Sequence, residues 1–170
     1  IRDKRRYAVS IKFDFSGLFI LDLANNHQGL VDHGLEVIKA HAKVAKDHGI
    51  RAAVKFQFRQ LDTFIHPDFK SAKDIKHIPR FMETRIEQSE FQKMFEAVKR
   101  EGLLTICTPF DEDSATIIEE MGFDLIKVAS CSAKDWPLLE RIAQTNLPVV
   151  FSTGSLLIDD IDKFVSFAEH

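Results

Sequence analysis

Residues 123–130 read FDLIKVAS. The stretch is apolar enough for a buried strand, yet Lys127 stands in its middle. An ammonium group does not enter a packed interior without a partner or a task. Residues 51–58, RAAVKFQF, repeat the arrangement with Lys55. Two strand-borne lysines call for a common explanation, and the order of elements around them supplies its frame.

Working outward, apolar strands alternate with amphipathic helices. Strands are expected at 18–24 (LFILDLA), 51–58, 103–110 (LLTICTPF), 123–130 and 147–154 (LPVVFSTG). Between the first two, Val31, Leu35, Ile38, Ala42 and Ala45 recur at helical spacing, and Gly49 ends the run. SEFQ at 89–92 reads as a capping box, opening a helix that buries Phe91, Phe95 and Val98 and stops at Gly102. A further helix is expected from Glu112 to Met121, closed by Gly122. The next has Asp135 as N-cap and Pro137 in its first turn, and the last carries Ile161, Phe164, Val165 and Ala168. Such alternation means an α/β protein with a parallel sheet and right-handed crossovers.

Two segments leave this rhythm. Residues 1–17 contain YAVSIKFDFSG, whose alternation predicts an N-terminal hairpin extension. Residues 59–88 are too long for a plain connection, and long insertions in α/β proteins carry function. The remainder, 18–170, holds five strand–helix units: an open sheet, or the first five units of a (β/α)8 TIM barrel. No Gly-x-Gly-x-x-Gly follows the first strand, so a dinucleotide-binding sheet is not supported. The barrel reading expects three more units after His170. A chain that starts on Ile1 and stops inside a helical pattern fits part of a longer protein.

Composition sets outer limits. The 170 residues are 45% hydrophobic and 29% charged, as in globular proteins, and the net charge of -3 gives no reason to expect nucleic acid or an anionic membrane as partner. No apolar run is long enough for a membrane span and no signal-peptide pattern occurs, so a cytoplasmic protein is expected. The two cysteines, Cys107 and Cys131, lie in strand-like contexts without zinc-site spacing and are expected to be buried thiols in a reducing compartment.

In parallel α/β proteins chemistry gathers at the C-terminal ends of the strands. The first strand carries Asp22 and then Asn25, Asn26 and His27; the second Lys55 and Gln57; the third Thr108 and Pro109; the fourth Lys127 and Ser130; the fifth Ser152, Thr153 and Gly154. Alternation puts Asp22, Ala24 and Asn26 on one face, and Ala53, Lys55 and Gln57 likewise, opposite Val54, Phe56 and Phe58. The small and polar face would line a barrel lumen. Two lysines and several hydroxyls converging there make an anion site for phosphate or carboxylate. His33, His41 and His48 sit on the first helix at spacings unlike a metal pair and are expected on a solvated face, while His27 fits either a turn or a site.

The residues taken together resemble the sialic acid synthase family. LDLANNHQG is similar to the AEIGNNHNG of its first barrel strand, and AAVKFQ, ICTPFDEDSA, DLIKVASCSAKDWPLLERIA and PVVFSTG follow in the family's order over about residues 18–168. The resemblance implies a phosphoenolpyruvate-condensing (β/α)8 barrel enzyme acting on an N-acyl amino sugar, homodimeric, with relatives in spore-coat polysaccharide biosynthesis and often a C-terminal antifreeze-like domain. Lys55, Thr108, Lys127, Ser130 and Ser152 then match positions that hold the phosphate and carboxylate of phosphoenolpyruvate, and Gln57 a position near the sugar; Asn26 is expected among the substrate-binding residues. Asp22 takes the place of a glutamate that orients or protonates during condensation. The family's divalent cofactor, manganese or magnesium, would be held by histidines beyond residue 170, where it polarises the sugar aldehyde.

The departures are specific. Asp22 is one methylene shorter than glutamate, Cys131-Ser132 stands where the family often has Gly-Glu, and Ala24 replaces a glycine. Two other readings compete with the synthase: a Schiff-base aldolase with Lys127 as nucleophile, and a non-catalytic barrel that binds a sugar or anion.

Overall fold

A computed structural model of the protein describes residues 13–168. The expected hairpin over 1–17 falls largely outside the described residues. Strands β1 (Leu18–Ala24), β2 (Arg51–Phe58), β3 (Leu104–Pro109), β4 (Leu125–Val128) and β5 (Val149–Phe151) form one sheet in chain order, every neighbouring pair parallel. Helices α1 (Val31–Asp47), α4 (Gln88–Arg100), α5 (Glu112–Glu120), α6 (Trp136–Ala143) and α7 (Ile158–Ala168) follow the successive strands, with the short α2 (Leu61–Phe64) and α3 (Ile78–Glu83) inside the 59–88 insertion. Sequential parallel order with a helix packed after every strand makes a half-barrel.

Each face of the sheet has its own core. Val54, Phe56, Phe58, Cys107, Ile126 and Val128 pack outward against helical Ile38, Phe91, Val98, Ile118 and Leu138. The opposite face carries a smaller cluster of Ala53, Ile106 and Leu125. β2 therefore alternates as expected, and its inward face begins apolar at Ala53 before turning polar at Lys55. Phe56 and Phe91 meet edge to face at 5.3 Å, and Phe95 and Phe123 lie 4.7 Å apart, so aromatic packing fixes α4 on the sheet.

Several local expectations are corrected. The capping box of α4 is built by Glu87 and Glu90 rather than by SEFQ; Glu87 fits because its extended backbone lets its side chain reach the first-turn N–H groups. Strands β3, β4 and β5 are shorter than 103–110, 123–130 and 147–154, because their polar ends turn away into loops. Cys107 is buried but Cys131 is exposed, lying in the 3-10 turn Ser130–Ser132 instead of a strand. His33 and His48 are exposed, but His41 is half-buried, its Nδ1 enclosed without a hydrogen-bond partner among the described residues.

The turn after β1 is held by close contacts. Gly29 has φ +75°, and a Cβ there would sit 2.5 Å from the carbonyl oxygen of Glu83 in α3. Only glycine lets the turn lie against the insertion.

Candidate active site

The inward face of the sheet is apolar at its floor and polar at its rim. Lys55 pairs in register with Asp22 on β1 and Ile106 on β3, Gln57 with Thr108, and Lys127 with Val150. Ile106 pairs with Leu125, so continuing the β3–β4 register by two residues brings Thr108 beside Lys127. The Nζ of Lys55 lies 2.9 Å from Oδ2 of Asp22. On this half-barrel the Asp22 side chain is 54% exposed, against 18% for Lys55. Lys127 makes no ion pair among the described residues; its Nζ donates to the Val128 carbonyl at 2.9 Å. Burial lowers the Lys127 pKa, and the Lys55 ammonium lowers it further, while Cys131 and Asp22 oppose the shift. The two cations are thus near enough to repel each other, in a partly dry environment where an anion would relieve both.

The hydroxyls complete the rim. Thr108 is buried at the end of β3. Ser130 begins the turn after β4, and Ser152 follows β5, its backbone N–H donating to the same Val128 carbonyl at 3.1 Å. A Cβ on Gly154 would lie 3.4 Å from the Ser130 Cβ, so the two loops touch. Asp22, Lys55, Thr108, Lys127, Ser130 and Ser152 thus occupy one rim, which can hold a small multiply charged anion.

Asn26 does not join them. The β1–β2 register shifts between Asp22 and Ala24, and Ala24 takes φ 44°. Alternation therefore ends at Asp22, and the expectation that Ala24 and Asn26 continue its face fails. Asn26 instead donates weakly to the Asp22 carbonyl at 3.4 Å and faces a shallow cleft with Arg80 and Glu83. His27 resolves as a turn residue: its Nδ1 accepts the Gly29 N–H at 3.0 Å, and burial first, then His33, pushes its pKa down to about 4.

One residue of the rim has no place in the sequence reading. Arg59 extends the inward series Ala53, Lys55, Gln57 by one step, just past β2, where the sequence reads as the start of the insertion. Its guanidinium lies 4.1 Å from the ring centroids of both Phe81 and Phe110 and donates to Gln57 Oε1 at 3.0 Å. The signal was legible in the period-two spacing. A cleft beside it, about 280 Å³ in volume, is lined by Gln57, Arg59, Phe81, Arg85 and Phe91 and meets the lysine rim through Gln57.

The residues from 41 to 170 match the model of the NeuB family. The chain belongs to the NeuB family. It is 48% identical to a Chromobacterium violaceum protein assigned to spore coat polysaccharide biosynthesis (protein E), whose crystal structure superposes with a TM-score of 0.87 over 89% of this chain and 45% of that one. Among curated NeuB-type relatives it is 27% identical over 149 residues to the spore coat polysaccharide biosynthesis protein SpsE of Bacillus subtilis, covering 85% of this chain and 39% of that protein. It is 24% identical over 154 residues to the N,N'-diacetyllegionaminic acid synthase of Campylobacter jejuni, covering 86% and 45%. The chain spans about two fifths of the length of the curated relatives it matches.

A divalent metal finds no ligand set on this half-barrel: among the described residues no three His, Cys, Asp or Glu side chains converge. Asp22, the carboxylate of the rim, is already engaged by Lys55. No helix among the described residues is long and apolar enough to cross a membrane.

Proposed function

We propose that this chain is the donor-binding half of a NeuB-type (β/α)8 synthase, closed by three further strand–helix units, that condenses phosphoenolpyruvate with an N-acyl amino sugar to give a nonulosonate. The observation that carries the reading is the pair of inward lysines on β2 and β4, the second without an ion-pair partner among the described residues and with its pKa lowered first by burial and then by the first lysine, ringed by Thr108, Ser130 and Ser152. A phosphate and a carboxylate on one small molecule match that charge and those donors. The membership in NeuB, and a legionaminic acid synthase among the relatives, support the same substrate class.

In this reading Lys55 and Lys127 hold the donor and neutralise its charge, which is catalysis by positioning and fixed electrostatics. The C3 carbon of phosphoenolpyruvate forms a bond to the sugar aldehyde carbon, whose oxygen takes up a proton. Water adds at C2, and phosphate departs with its bridging oxygen, leaving a keto acid. Asp22, already hydrogen-bonded to Lys55, orients that ammonium and stands at the rim where the proton is delivered.

The test is phosphate release by the full-length protein from phosphoenolpyruvate with a panel of N-acyl hexosamines. Release that depends on the sugar supports the synthase; none from any sugar sinks it and favours a binding barrel. A second reading rests on one observation: a half-buried lysine with a lowered pKa beside another cation is also how a Schiff-base nucleophile is made. Borohydride trapping with pyruvate, read by mass spectrometry, separates the two, since an adduct on Lys127 belongs only to the aldolase.

A further inference from the structure

Gln57 carries an amide whose two ends offer opposite chemistry, an acceptor oxygen and a donor NH2. What it can recognise depends on which end faces the lumen. Arg59 has donors only, and its terminal nitrogen sits 3.0 Å from the Gln57 amide, so that end must be the oxygen. The NH2 is then the end left for a ligand.

Arg59 is not a swinging surface residue. Phe81 from α3 and Phe110 from the end of β3 lie at 4.1 Å from its guanidinium carbon, and Phe64 from α2 closes the cage at 5.9 Å. Asp111, the N-cap of α5, accepts the neighbouring Gln60 N–H at 2.9 Å and fixes the backbone beneath it. The Arg59 Nε–H is enclosed without a partner among the described residues. A buried donor left unbonded has a cost, which the aromatic walls and the Gln57 hydrogen bond offset.

We propose that Arg59 is a positioning residue that locks Gln57 as a hydrogen-bond donor, so that the acceptor subsite selects a sugar by an acceptor oxygen such as the carbonyl of its N-acyl group. The 59–88 insertion thereby acts on specificity at a distance: it supplies Phe64 and Phe81, two walls of the cage. The identity of the ligand rests on the synthase reading, whereas the orientation of Gln57 does not, and the experiment separates them.

The full-length protein is compared with Arg59→Met, which keeps an apolar stem in the cage, and Arg59→Lys, which restores a donor. The Gln57 side-chain NH2 signals in a 1H–15N spectrum, assigned by their loss in Gln57→Glu, are expected to move in Arg59→Met and to return part-way in Arg59→Lys. The KM for the amino sugar is expected to rise about tenfold in Arg59→Met, the size of one hydrogen bond, with the KM for phosphoenolpyruvate within about twofold. Arg59→Met with Gln57→Ala should be no worse than Gln57→Ala alone. If the Gln57 signals stay in place, the proposal is overturned whatever the activity. If they move while both KM values rise together, or neither does, the specificity role is overturned. If they move but no sugar yields phosphate, the orientation stands and the synthase reading fails.

Discussion

Asp22 and Lys55 are register partners across the β1–β2 ladder, and their side chains meet at 2.9 Å on the inward face. The register shift that follows Asp22 ends the strand's alternation there, so the carboxylate stays at the rim beside the lysine. The Asp22 carboxylate is engaged there by the Lys55 ammonium.

Asp22→Asn keeps the shape of the side chain while removing the charge that meets Lys55, so the fold should be retained. Phosphate release should nevertheless fall about a hundredfold, since Lys55 loses the group that aims it. Urea titration and a steady-state phosphate assay read the two effects. A large stability loss would make Asp22 structural instead.

Lys127→Met should weaken phosphoenolpyruvate binding and lower kcat by about a hundredfold or more, as loss of one fixed charge at a developing anion does. Its lowered pKa adds a pH signature. Only the ammonium grips the donor, so affinity should fall as pH rises through the lowered value, before an ordinary lysine would titrate near 10.4. Lys127→Arg should abolish that alkaline limb. Calorimetric titration with phosphoenolpyruvate between neutral and alkaline pH measures it.

His27 should act on acid stability. Its pKa is about 4 in the fold and 6.5 without it, so the unfolded chain takes the proton first. The contribution is complete above pH 6.5 and is lost as pH falls toward 4. His27→Gln, which cannot titrate, should lose less stability than the parent between neutral pH and pH 4.5. Parallel slopes of melting temperature against pH would remove His27 as the cause.

Ala24→Gly should stabilise the protein by about 0.5–1 kcal/mol. An alanine at φ 44° holds a conformation that disfavours a Cβ, and the strain relieved exceeds the backbone entropy glycine adds to the unfolded chain. An increase in urea midpoint with unchanged slope is the expected result, and a decrease would show that the Ala24 methyl is needed for packing.

The sequence by itself determined the layout: period-two and period-3.6 patterns placed five strands and their helices, and the alternation of β2 placed Lys55 and Gln57 inward, because burial of one face is a local, repeating constraint. It also carried Arg59 on the same count, unrecognised because a charged residue beyond a strand end looks like loop. What only the tertiary structure decided was anything set by contacts between distant segments. The register shift after Asp22 depends on how β1 lies on β2, and it is what sends Asn26 away from the lysines. Glu87, not Ser89, caps α4, and Cys131 is exposed because the chain after Val128 turns into a 3-10 loop rather than extending. The aromatic cage of Arg59 joins residues from α2, α3 and the end of β3, which no sequence spacing brings together. Periodicity reports which face a residue occupies; only packing reports what stands opposite it.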